Sequence, residues 1–550
     1  MAADDIGIGT GDNRGQRPRS ETWILLLIMA AALAVRVLAA LSRSMIQLDE
    51  TAHVRMAENL AEGLRPLDIA GLSATHFSPL FPLVTSGLGK LTGDFVISAY
   101  AVVIIFGTLL LVPAYLLARD LAGGRAGLMT AALVGAMPLF VDYSSRLYSE
   151  SVYVFFLLLA LAAGYRMLRD GSRYAWATLA GFSLGLAYLA NPSAVFYLVA
   201  LAALIVAAAV VRRRAWRPVA GRAALFGALF IICAAPYLIF LHSEQGRWTY
   251  SGKAPGNIHA AEKDLRHGTL DWEKEMLALD NDSGETKIMT LKDEADPLRA
   301  LVTQPLQGVK IFARQSYIFY SEELARVFPL WLLPLLGLGL FAAAWDRTRA
   351  AGAGYLLLMM APALFILTMY AHSRFFMPFV PLAAIWTAQG WISFEEWSRG
   401  TVLVCLPEAR RRQAARLAPW LVGAAMMLPL LVLSAATVLK PGYPTHYRDA
   451  GELLLKEAGR GQRIMSREYS AAYYAGGTAV QLPYAGYNEI TAYAKGNEVD
   501  FLVIGRQAIF DWRPQLAALL EDDAAHPEWQ QVAVISEGTD RETLIFRLRP

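Results

Sequence analysis

Long apolar runs recur along this chain, and they decide what it can fold into. A run of about 18 apolar residues or more is long enough to cross about 30 Å of hydrocarbon. Runs near that length, some of them shorter, fall at roughly 22–41, 95–118, 126–141, 150–168, 174–190, 194–211, 222–241, 326–344, 353–371, 374–393 and 418–439. No water is available in lipid, so each run must satisfy its own backbone by coiling into a helix. The expected fold is an α-helical polytopic membrane protein of about eleven transmembrane helices. Composition agrees: 55% of residues are hydrophobic and 18% charged, against about 45–50% and 25% in soluble domains. The run from Trp23 to Leu41 is too long for a signal peptide and lacks a small-x-small exit, so it reads as a retained first helix. Cys233 lies within a span and Cys405 in a basic loop, so no disulfide framework is implied.

Charge placement predicts orientation. With a cytoplasmic N-terminus, the inside segments hold twenty arginines, among them Arg212, Arg213, Arg214, Arg410, Arg411 and Arg412. The short outside segments hold five: Arg43, Arg55, Arg65, Arg146 and Arg374. That asymmetry has the direction of the positive-inside rule. The expected location is a bacterial inner membrane, with the C-terminal part extracytoplasmic. The basic residues serve topology, and nucleic acid is not an expected partner.

Three domains follow. Residues 1–20 are polar and read as a disordered cytoplasmic tail. Residues 21–439 form a membrane domain with outer loops at 42–94 and 242–325. The second loop carries Tyr250, Lys253, Asp271, Trp272, Asp280 and Asp282. Residues 440–550 read as a small α/β domain, with a helix from Tyr447 to Ala458, a strand at Val499–Ile504 and a hairpin joining Val532–Ser536 to Thr543–Leu548. This domain shows no catalytic signature, and its expected role is support of the site or acceptor docking.

The chemistry-bearing residues gather outside the spans. Leu48 to Gly63 has helical periodicity and places Asp49 and His53 one turn apart on one face. Asp49 as a plain helix cap, with Glu50 favouring the helix dipole, is an equally good account of the pair by itself. Downstream, His76-Phe77-Ser78-Pro79 reads either as a Pro-punctuated lead-in to a helix or as part of a site. The turn from Asp142 through Arg146 and Tyr148 to Glu150 carries more ionisable groups than a mere connection near hydrocarbon needs. An Arg146–Glu150 pair on one helix face is its bland explanation. Arg374, at the outer mouth of the tenth run, is either a snorkelling arginine or an anion clamp.

In order and spacing these segments resemble a known group. Leu48-Asp49-Glu50, His76-Phe77-Ser78-Pro79-Leu80-Phe81-Pro82, Ser145-Arg146-Leu147-Tyr148-Ser149-Glu150 and Arg374-Phe375-Phe376-Met377-Pro378 are similar to those of GT-C integral-membrane glycosyltransferases. Within that group the chain resembles the bacterial dolichyl-phosphate-mannose–protein mannosyltransferase-like branch. That branch includes lipid A aminoarabinose transferases and rhizobial lipopolysaccharide sugar transferases. The resemblance covers roughly residues 20–395. It implies a sugar on a polyprenyl phosphate, transferred outside the cytoplasm with inversion, to a lipid, polysaccharide or protein acceptor. Asp49 matches the family's catalytic acid and Glu50 its neighbour. One departure stands out: where many relatives carry an Arg-Pro step, this chain has Asn191-Pro192.

The residues suit that chemistry. A positioned carboxylate takes the acceptor's proton, worth about 10²–10⁴ in rate, and Asp49 is assigned this part. Glu50 would steady the cationic sugar or orient the acceptor. Arginine's planar fork fits the leaving phosphate, making Arg374 and Arg146 the expected clamps. His53 and His76 are secondary donors, with Tyr148 and Glu150 as further substrate contacts. A divalent cation is compatible with this scheme, although no cluster has metal-ligand spacing, and no metal ligand is assigned. The rival reading is a transporter or lipid flippase. It would string charges through the membrane, whereas here they concentrate at one face.

Overall fold

A computed structural model describes residues 19–170, 173–211, 216–266, 268–280, 284–290, 305–368, 370–402, 407–440, 443–521, 526–536 and 541–549. Nearly all of the expected tail at 1–20 lies outside these residues, as do Asp282 and Cys405. Among the described residues six helices are long and apolar enough to cross a membrane, and a bent pair is a seventh candidate. The chain is a mostly helical, multi-pass membrane protein.

Helix α1 (Arg19–Leu41) is followed by α2 (Leu48–Ala61) and α3 (Leu80–Thr92), which belong to the 42–94 segment. Next, α4 (Phe95–Leu109) and α5 (Leu111–Ala122) join in a single candidate span of 28 residues. Asp94 caps its start by accepting the Ile97 N–H at 2.8 Å, and Gly123 ends it with φ +90. The bundle continues through α6 (Gly124–Gly135), α7 (Pro138–Tyr143), α8 (Glu150–Asp170), α9 (Tyr174–Ala190), α10 (Ala194–Val211) and α11 (Trp216–Gln245).

Two of the expected spans are interrupted. The run at 126–141 is divided between α6 and α7, because Met137 precedes Pro138 and is held extended (ψ 125). The run at 326–344 belongs to a longer broken element, Pro305–Val327 followed by Leu330–Phe341, bent by 84°. Here Phe328 precedes Pro329 and sits at φ −142, ψ 118, so the helix cannot pass through it. Helices Leu333–Phe341 and Phe379–Trp397 then cross closely at Gly339 and Gly390. A Cβ on Gly339 would collide with the Trp386 carbonyl, and one on Gly390 with the Leu335 carbonyl. Such contact needs small residues, the usual device where lipid supplies no hydrophobic drive between helices.

Residues 443–549 hold a five-stranded sheet of order β2-β1-β3-β5-β4, made from β1 (Arg463–Ser466), β2 (Thr478–Gln481), β3 (Phe501–Gly505), β4 (Trp529–Ser536) and β5 (Glu542–Leu548). β1 pairs in parallel with β2 and β3, while β5 runs antiparallel to β3 and β4. The expected helix appears as His446–Ala458, and both hairpin strands are present. The turn between those strands lies outside the described residues. The core of this domain is not its own alone. Met45, Ala52 and Ile69 from the 42–94 segment pack into one buried cluster with Tyr447, Leu454, Ile464 and Val503.

Candidate active site

Helix α2 begins with an unusual step. Leu48 lies at φ +34, a region that costs a β-carbon-bearing residue roughly 1–2 kcal/mol. The next turn compensates. One oxygen of Glu50 accepts the Gln47 N–H at 2.9 Å and the other accepts the Leu147 N–H at 3.1 Å. Glu50 is thus the capping acid of α2 and its tie to the 144–149 turn, 4% exposed and outside the lining of the cleft described next. Burial pushes its carboxyl upward, opposed by those two backbone N–H groups. Gln47, rather than Asp49, occupies the cap position.

Asp49 is thereby released from capping and lines a cleft that encloses about 970 Å³, part of it open to solvent. His53, His76, Tyr148, Glu150 and Arg374 line the same cleft, so six of the eight expected site residues come together. Arg146 does not. It pairs with Asp142 at 3.1 Å and lies over the rings of Tyr143 and Tyr443. The bland Arg146–Glu150 pairing is absent too, because Glu150 faces Arg374 at 4.0 Å.

Asp49 Oδ2 is 3.8 Å from Arg374 Nη1 and 3.8 Å from Lys253 Nζ. In the sequence Lys253 stands out only as one polar residue of a loop. Gly252-Lys253-Ala254-Pro255 opens α12 (Ala254–Glu262), with Pro255 in the first turn. Gly252 makes the approach possible, since a Cβ there would collide with the Thr75 carbonyl. Burial lowers the Lys253 ammonium below its ordinary range, and Asp49 pulls it back up. His53 is boxed by Phe77 and Phe81 at 4.9 and 5.2 Å, and burial pushes it down to about 4, so it is neutral at pH 7.

The rest of the cleft is aromatic and amide in character. Phe196 packs on Phe365 at 4.1 Å. Tyr188 fixes the loop before Lys253 by donating to the Tyr250 carbonyl at 2.7 Å. The Asn191-Pro192 step lines the wall, and Asn191 Oδ1 accepts the Ser193 N–H at 3.0 Å. Among the described residues no group of three or more His, Cys, Asp or Glu is placed to hold a metal ion. A carboxylate flanked by two cations beside an aromatic wall suits an anionic group joined to a ring or lipid.

Comparison with known proteins bears on the fold. Residues 76–240 match the family model of dolichyl-phosphate-mannose-protein mannosyltransferases. No curated protein matches by sequence. Among solved structures, the Archaeoglobus fulgidus oligosaccharyltransferase in complex with Zn and sulfate aligns at 16% identity with TM-score 0.60, over 94% of this chain and 72% of that one. ArnT from Cupriavidus metallidurans bound to undecaprenyl phosphate aligns at 14% identity with TM-score 0.54, over 96% and 98%. AglB from Archaeoglobus fulgidus, in complex with an inhibitory peptide and a dolichol-phosphate, aligns at 13% identity with TM-score 0.54, over 96% and 74%. The fold is that of the GT-C membrane glycosyltransferases. The chain shares their fold, and the family match covers residues 76–240 of it. The matched segment starts after Asp49 and ends before Lys253 and Arg374, so the roles of those three rest on their geometry.

Proposed function

We propose that this chain transfers a sugar from a polyprenyl phosphate to an acceptor hydroxyl, with inversion, and that Asp49 is the general base. The observation that carries the reading is the placement of Lys253 and Arg374 at 3.8 Å from the Asp49 carboxylate, in one cleft. The acceptor oxygen attacks the anomeric carbon, the bond from that carbon to the phosphate oxygen breaks, and the acceptor proton passes to Asp49. The polyprenyl phosphate leaves with the bonding electrons, and Arg374 and Lys253 meet its growing charge. Neutral His53 is a hydrogen-bond partner rather than a third cation. Glu150 and Tyr148 line the path as substrate contacts, and His76 closes the same wall. Glu50 holds α2 in place and Arg146 braces the neighbouring turn, so both act at one remove.

The surrounding topology completes the reading. Eleven crossings follow when the shorter apolar helices Tyr174–Ala190 and Val422–Val438, the helix Phe379–Trp397 and the two divided segments are each counted as a span. The cleft, the 242–325 segment and the C-terminal domain then lie on the extracytoplasmic side of a bacterial inner membrane, and the N-terminus is cytoplasmic. The acceptor is a lipid, polysaccharide or protein of the envelope.

Purified protein incubated with a panel of polyprenyl-phosphate sugars tests the reaction, by detection of released carrier lipid. Release that needs Asp49 supports it. No release from any donor, or equal release by Asp49→Asn, removes it. Labelling of residues 49 and 50 from both sides of intact cells tests the topology, and cytosolic labelling would overturn it.

A further inference from the structure

Arg374 stands on an irregular stretch of backbone. It belongs to a single 3-10 turn, Ser373–Phe376, between the helix ending at Ile366 and the one starting at Phe379. His372 caps that turn locally, its Nδ1 accepting the Arg374 N–H at 3.3 Å. An arginine that must grip a phosphate needs its backbone fixed, and one helix supplies the fixing. From the helix Pro305–Ile318, Gln315 Oε1 accepts the Ala371 N–H at 2.8 Å. One turn beyond it, Phe319 packs on Phe376 with ring centroids 4.2 Å apart. Another turn on, Glu323 Oε2 accepts the Ser373 N–H at 2.7 Å. These contacts bracket Arg374 on both sides, and Gln315, Glu323 and Phe376 are all buried.

The spacing of the three explains an oddity in the helix. Eight residues of regular α-helix overshoot two turns by about 80°, which would swing Glu323 away from the line of Gln315. Residues Phe319–Glu323 form a π turn instead, and the Leu324 N–H reaches back five residues to the Phe319 carbonyl. A π turn holds more residues per turn, so it returns position 323 towards that line. Such turns are rare and recur at functional sites. The neighbouring Glu322 points elsewhere, to a forked contact with Arg266 at 2.6 and 3.1 Å.

We propose that Glu323 and Gln315 are positioning residues for Arg374, holding the 371–373 backbone so that its guanidinium meets the donor phosphate. This rests on the reading of Arg374 as a phosphate contact. The test measures binding of undecaprenyl phosphate to the purified full chain carrying Glu323→Ala, Glu323→Gln, Gln315→Leu or Arg374→Ala, and the Glu323→Ala/Arg374→Ala pair. Losing a buried acceptor weakens binding by about tenfold in Glu323→Ala and in Gln315→Leu. Glu323→Gln keeps an oxygen for the Ser373 N–H and stays within about threefold of the parent. A positioning role adds nothing once Arg374 is gone, so the double variant binds like Arg374→Ala alone. Full additivity in the double variant, or unchanged binding in both Glu323→Ala and Gln315→Leu, overturns the proposal and leaves the phosphate reading standing. Unchanged binding in Arg374→Ala overturns both.

Discussion

Asp49 and Glu50 are neighbours of the same chemical type, and the structure gives them opposite sensitivities. Asp49→Asn keeps the shape and removes the charge. The side chain is 36% exposed and its cations are 3.8 Å away, so the stability change is below about 1 kcal/mol. The rate falls by about 10²–10⁴, the contribution of a general base. Glu50→Gln does the reverse. A carboxylate accepts from both Gln47 and Leu147, whereas an amide has one accepting oxygen and turns an NH₂ group towards the other N–H. Leaving that buried donor unpaired costs about 1–3 kcal/mol. The assay pairs initial rates of carrier-lipid release at saturating donor with the apparent melting temperature of each variant. Asp49→Asn should be stable and inactive, and Glu50→Gln less stable with activity that survives at low temperature. An active Asp49→Asn, or two variants equally stable and equally inactive, would refute the division of labour.

His53 is held neutral by burial and pushed down to about 4, from an ordinary value of 6.5. Its stabilising contribution is therefore complete above pH 6.5 and lost as pH falls towards 4, with an upper bound on the order of 3 kcal/mol. Melting temperatures across that window should drop in the parent and flatten in His53→Gln, and identical slopes would contradict the assignment. Lys253→Met removes one of the two cations beside Asp49, and should raise the donor KM by about tenfold while leaving acceptor KM unchanged. Glu273→Ala takes a carboxylate from the fully buried Arg513 and from Arg467, which keeps Glu468 at 2.9 Å. Loss of such a buried partner costs about 3–5 kcal/mol, read as a lower melting temperature, and an unchanged one would show the pair to be dispensable.

What was legible in the sequence was local. Apolar run length gave the helices of the bundle, and the two misread spans are ones in which a proline follows an extended residue, Met137 or Phe328. The α2 helix came from its periodicity, and the hairpin strands from two short runs split by Glu537-Gly538-Thr539-Asp540. Asp49 was legible as an acid beside a span, but its separation from Glu50 was not. That separation depends on Leu147, 97 residues away. Lys253 was missed for the same reason: its importance comes from Asp49, about 200 residues earlier, and no local pattern encodes that meeting. The π turn at Phe319–Glu323 is likewise invisible to a 3.6-residue period, and its last residue meets the Ser373 backbone, 50 residues on.

The segments that carry Asp49 and Lys253 are both tied to the sheet domain. On one side, Ile46 is held at both backbone groups: its N–H donates to Tyr474 Oη at 3.1 Å, and its carbonyl accepts from Ser470 Oγ at 2.9 Å. Tyr473 Oη also donates to Glu58 at 3.0 Å, and the Ala479 N–H reaches the Ile69 carbonyl at 3.0 Å. On the other side, the Tyr484 N–H donates to the Leu277 carbonyl at 2.8 Å, beside the Glu273 pairs with Arg467 and Arg513. Glu273 and Met276 belong to α13 (Leu270–Met276), and Met276 packs with Ala260 of α12, the helix that Lys253 introduces. Both arms of the cleft therefore end on the same sheet domain. A loop tethered at one end would sample more separations between Asp49 and Lys253 than two arms tied to one domain. We read the domain as a brace, because its contacts run to the segments that carry Asp49 and Lys253 and its buried core includes Ala52, one turn from Asp49 on α2.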